Sequence, residues 1–192
     1  MNLAQFNPLF GWAAYLSAVA TIATAITGVL FFTQGERFGK LNDAVSVFQM
    51  LFMLPVSVGL YLLIRDSHGG LTLLATVIGI SGMLVAAVLQ ALLALSVARY
   101  EQTVTAVLAA GGAIGLWLVL ANVLVLTAQV LSGGLAICGI VVGVAYVMVA
   151  LGFRIGGHEH PLGYIGALLG VVGYSIWSIW LGWLFMSGGL AL

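Results

Sequence analysis

Long apolar runs separated by short polar clusters set the pattern of this chain. A bilayer core of about 30 Å is crossed by about 20 residues of helix, and the runs have that length. The first covers residues 9–32 and ends at the polar segment TQGERFGKLND. The second, 44–64, follows Asn42 and Asp43, either of which suits a helix N-cap, and stops at RDSHGG. The third, 71–98, ends at RYEQ. Residues 103–153 carry no charge; as one helix they would extend roughly 75 Å at about 1.5 Å per residue. They therefore divide into 104–126 and 133–153, with the break at 127–134, where polar residues and paired glycines cluster. A sixth run, 162–186, follows Pro161, a residue tolerated in the first turn of a helix. The pattern predicts an all-α, polytopic integral membrane helical bundle forming a single domain. Six transmembrane helices are expected, and five if the fourth and fifth are misdivided.

Composition supports that reading. Of 192 residues, 63% are hydrophobic and only 5% are charged, against roughly 25% charged in an ordinary soluble domain. Five acidic and five basic residues balance, so no nucleic-acid partner is expected. Cys138, the single cysteine, lies in an apolar run and excludes an internal disulfide or a CxxC motif. The segment MNLAQFNPLFGW lacks the positive start of a cleaved signal peptide, so the first run is read as a mature helix. Arg37, Lys40, Arg99 and Arg154 fall in the first, third and fifth loops, with Arg65 on the opposite side. The positive-inside rule then places both termini outside, in a bacterial or archaeal plasma membrane. Trp12, Trp177, Trp180 and Trp183 are expected in the outer interfacial belt.

No Asp, Glu, Lys, Arg or His falls in the middle of a predicted span, which argues against a proton relay or an ion-coupled pump. The polar residues inside are neutral. Ser17, Thr21, Thr24 and Thr27 share one helical face. Asn42, Ser46, Gln49, Met53 and Ser57 form a second stripe, on a helix that Pro55 should kink. Thr27, Gln49 and Gln90 lie at comparable depth, so Thr24, Thr27, Gln49 and Gln90 are the candidate ligand-binding residues. The plainer reading makes them packing contacts worth about 0.6 kcal/mol each. In the last span Gly163, Gly166, Gly170 and Gly173 share a face, and the GxxxG of Gly139 and Gly143 is its expected partner.

The loops offer little chemistry. In GGHEHPLG, His158 and His160 stand at i and i+2, a weak pair of metal candidates whose further ligands would have to come from Glu36, Asp43 or Glu101. No metal site and no cofactor is expected. HExxH, GxSxG and a glycine-rich loop before Lys-Ser or Lys-Thr are all absent, so the chain is not expected to be an enzyme. The expected function is binding or passing a small neutral or lipidic ligand. The alternatives are an accessory or structural subunit of a larger membrane complex, and a small-solute channel or permease. Expected partners are the lipid bilayer and a homo-oligomer or a larger membrane complex.

The charged turn FGKLNDAV, leading into a proline-containing second helix, resembles the small multi-pass bacterial membrane proteins of uncharacterised function. NPLFGW, residues 7–12, is similar to the Asn-Pro motif of the small six-helix acetate and succinate transporters, with one proline where the usual form has two. The first resemblance implies a class of membrane protein and no particular activity; no residue roles follow from the second.

Overall fold

The computed structural model describes residues 7–35, 37–157 and 160–188. These form five helices: α1 (Asn7–Gln34), α2 (Arg37–Ala94), α3 (Tyr100–Ala128), α4 (Gly133–Gly156) and α5 (Pro161–Met186). No strand occurs among the described residues. All five helices are long and apolar enough to cross a membrane. Inside a bilayer a helix satisfies its backbone N–H and C=O groups within the segment, and Leu-, Ala- and Val-rich runs adopt that solution.

The expected count of six separate helices is corrected to five. The predicted spans 44–64 and 71–98 are parts of one helix, α2, of 58 residues. RDSHGG looks like a loop, yet only His68 leaves the helical region, at φ −141° and ψ 39°. The charges of Arg65 and Asp66 and the two glycines after His68 therefore mark a sharp break in a continuous helix. Run straight, α2 would be roughly 90 Å long at about 1.5 Å per residue. It does not run straight, because Gln49 and Gln90 border the same cavity. The limbs 37–67 and 69–94 fold back beside one another at His68, whose Nε2 lies 3.2 Å from the Thr127 hydroxyl of α3. At Pro55, where a kink was expected, the backbone keeps helical dihedral angles.

The break at 127–134 appears as predicted. Gln129 takes a left-handed conformation at the end of α3 (φ 56°), and the Ser132 hydroxyl accepts the Leu135 N–H at 3.4 Å to cap α4. Pro161 occupies the first turn of α5, and His160 caps it, its Nδ1 accepting the Leu162 N–H at 3.3 Å.

Packing closes these helices into a ring. α1 lies against α2 and α5, α2 against α3, α3 against α4, and α4 against α5. The start of α1, the end of α5, His68 and the α3–α4 turn share one end of the ring; Phe10 meets Phe185 there with ring centroids 5.5 Å apart. The α1–α2, α2–α3 and α4–α5 turns share the other end, below called the mouth end. Toward the terminal end the interior is filled by Phe10, Leu60, Ile64, Val125, Leu131 and Phe185, and at mid-height by Met53, Met83, Trp117, Tyr174 and Trp177. Outward the ring presents Leu9, Val19, Val29, Val77, Val88, Ile137, Leu168 and Val172, all exposed. An apolar exterior on this scale matches a lipid environment and not water.

Two further expectations need correction. Trp12, Trp180 and Trp183 are exposed near the terminal end, but Trp177 is fully buried and belongs to no interfacial belt. Its indole N–H donates to Asn122 Oδ1 at 3.1 Å, a polar partner that holds the ring inward. The GxxxG of α4 does not meet the glycine face of α5. Gly139 packs on Asn122 and Gly143 on Gly115 and Val119, all in α3. Gly163 and Gly166 of α5 instead seat on the other side of α4, against Phe153 and against Ala145, Met148 and Val149. α4 is sandwiched in the ring, so its two small-residue faces serve different neighbours.

Candidate functional site

The polar stripes predicted on α1 and α2 both face the ring interior. Ser17, Thr21, Thr27, Ser46, Gln49 and Ser57 are buried. Most of the hydroxyls bond back to their own helix, as Thr21 does to the Ser17 carbonyl at 2.9 Å, the usual resting place for Ser and Thr in an apolar helix. Gln49 differs. Its amide donates across the ring to the Tyr146 hydroxyl of α4 at 3.2 Å. Tyr146 lies 6.3 Å, centroid to centroid, from Tyr174, which shares a 2.5 Å hydrogen bond with Ser17. Tyr174 in turn lies 5.7 Å from Trp177. These rings and amides form a tied layer across the middle of the bundle.

On the mouth side of that layer lies a cavity of about 310 Å³, at the small end of the range typical for small-molecule sites. Every helix contributes to its wall. Thr21 and Thr24 come from α1, Gln49 and Gln90 from the two limbs of α2, Gly111 from α3, Tyr146 from α4, and Gly166 and Gly170 from α5. Thr24 Oγ1 and Gln90 Oε1 are buried there without a hydrogen-bond partner. A Cβ built on Gly111 meets nothing within 4 Å, so that wall is open space and not a packed seam. Among the described residues no carboxylate, Lys, Arg or His borders this cavity.

Of the four residues singled out from sequence, Thr24, Gln49 and Gln90 are brought together here. Thr27 is not on the wall; its hydroxyl donates to the Ala23 carbonyl at 2.8 Å and accepts from Asn42 Nδ2 at 3.0 Å, which fastens α1 to α2. Sequence reasoning missed Tyr146 and Gly111. A hydroxyl in the middle of α4 was a usable signal for the first, because a buried phenol requires a partner; one glycine among many carried none for the second.

A second chamber, of about 430 Å³, adjoins the first toward the mouth end, with Gln90 and Val107 on both walls. Its border includes Phe31, Lys40, Asp43, Tyr100 and Phe153. The metal candidate His158 lies outside the described residues, as does Glu36. His160 serves as the α5 cap, and no group of three metal-ligating side chains occurs among the described residues.

Fold and site together define a class: a helical bundle with an apolar exterior, membrane-length helices and an uncharged cavity at its centre. Beyond that class, no family model, no curated protein and no solved structure matches this chain.

Proposed function

We propose that this protein is a non-enzymatic membrane protein that binds a small uncharged ligand, largely apolar but bearing a hydrogen-bonding group, in the central cavity. The observation that carries the reading is the pair of unpartnered polar atoms, Thr24 Oγ1 and Gln90 Oε1, facing one otherwise mostly apolar chamber. A buried polar group left unpaired costs about 1–3 kcal/mol. A hydroxyl or amide on a ligand removes that cost, and the absence of charge on the wall disfavours an ion. The packed interior at the terminal end favours binding over free passage. In the bilayer each limb of α2 crosses once, giving six crossings, because either limb alone matches the core thickness. The mouth end carries Arg37, Lys40, Arg99 and Arg154 and faces the cytoplasm of a bacterial or archaeal cell, with both termini outside.

Access to the cavity is tested at Gly111. In a Cys138→Ala background, Gly111→Cys is expected to leave the fold intact and to react with a small, membrane-impermeant thiol reagent applied from the mouth side. Reaction from the terminal side alone, or none in the folded protein from either side, contradicts the proposal.

A further inference from the structure

The two chambers differ in chemistry. The inner one is uncharged. The one at the mouth holds a carboxylate, Asp43, among the aromatic side chains of Phe31, Tyr100 and Phe153. Among the described residues Asp43 makes no ion pair. Lys40 borders the same chamber but is exposed at the start of α2, where a long ammonium stem extends toward water. Asp43 is partly buried, so the recessed charge of this chamber is negative. Aromatic faces beside a carboxylate are the chemistry that holds alkylated ammonium groups, through attraction to the ring quadrupole and ion pairing. Gln90 and Val107 stand on both walls, so a ligand seated at Asp43 has an apolar space directly inward of it.

We infer that the mouth chamber is a subsite for an organic ammonium group, and that the full ligand range includes cations whose mostly apolar tail, bearing a hydrogen-bonding group, lies in the central cavity. The inference rests on the central cavity being a ligand site, and adds to it the charge of the head and the residue that reads it. Among the described residues that border the chamber with Asp43, Lys40 comes from its own helix, Tyr100 from α3, and Phe31 and Phe153 from α1 and α4; Glu101 lies beside Tyr100. A carboxyl group attracts a cation only while it is ionised, so cation binding is expected to be lost once the pH is low enough to protonate Asp43.

The test uses the full chain in lipid nanodiscs and three water-soluble probes in equilibrium dialysis: (6-hydroxyhexyl)trimethylammonium, 1-hexanol and hexanoate. At pH 8 the ammonium is expected to bind about tenfold more tightly than the alcohol, and the preference is expected to weaken as the pH is lowered. Asp43→Asn is expected to abolish the preference while leaving hexanol binding unchanged, and Asp43→Glu to restore part of it. Equal binding of cation and alcohol, preference for hexanoate, or indifference to Asp43→Asn overturns the inference while hexanol binding keeps the central site standing. Cation binding that depends on Asp43 without any binding of hexanol supports the mouth subsite and removes the central one. Failure of all three probes to bind overturns both.

Discussion

Gly143→Val is expected to be the most destabilising single change at the α3–α4 seam. A Cβ at this position lies 2.6 Å from the Gly115 carbonyl oxygen and 2.7 Å from the Val119 backbone nitrogen. Both are backbone atoms of α3, with no rotamer to turn aside. The approach is reciprocal, since a Cβ on Gly115 comes within 2.7 Å of the Gly143 carbonyl. Either substitution must therefore push whole helices apart. Overpacking of a well-fitted seam typically costs about 1–3 kcal/mol; alanine is expected in that range and valine above it. Because the helices form a closed ring, opening the α3–α4 seam also disturbs the cavity wall at Gly111 and Tyr146. Thermal unfolding in mild detergent should show Gly143→Ala and Gly115→Ala each lowering the midpoint, and the double variant lowering it by less than the sum, because the first already opens the seam. Gly69→Ala, where a Cβ meets nothing within 4 Å, is the control and should leave the midpoint nearly unchanged.

The second large effect is expected at Asn122. Its amide donates to the Leu118 carbonyl at 2.8 Å and accepts the Trp177 indole N–H at 3.1 Å, with both residues fully buried. Asn122→Leu orphans that N–H in an apolar interior and sets a branched side chain against Gly139, where the seam already leaves no room for a Cβ. The lost interhelical hydrogen bond alone is worth about 0.6–1.7 kcal/mol in a membrane bundle, and the crowding adds to it. In a double-mutant cycle, Trp177→Phe should recover the hydrogen-bond part of the loss and none of the steric part. A cycle that closes with no coupling energy would mean that the bond contributes nothing.

Much of the fold was legible because lipid and helix impose simple lengths. The break at 127–134 was marked by clustered polar residues and paired glycines, features of local chemistry that the left-handed Gln129 and the Ser132 cap realise. His68 was not legible in the same way. RDSHGG has the charges and glycines of a loop, but whether a chain leaves the helix for one residue or for several depends on how the limbs pack, which periodicity does not encode. Trp177 was misplaced for a similar reason: its distance along the helix suited an interface, while the partner that draws it inward, Asn122, sits 55 residues away on α3. The site was half legible. Thr24, Gln49 and Gln90 stood out as polar residues of similar depth, and the ring does unite them. Thr27 stood on the same stripe but faces Asn42. Asp43 was read as a helix cap and as a spare metal ligand, because nothing in the sequence shows that it shares a chamber with Tyr100 and Phe153.

Whether the cavity bordered by Thr24, Gln49 and Gln90 holds a small ligand is read out by native mass spectrometry of the mildly solubilised protein. The wild-type chain is expected to retain a small molecule, and the Gln49→Leu, Gln90→Leu double variant, folded by circular dichroism, is expected to release it. A wild-type protein that leaves the detergent bare, or a double variant that keeps the same molecule as firmly as the wild type, would contradict the proposal.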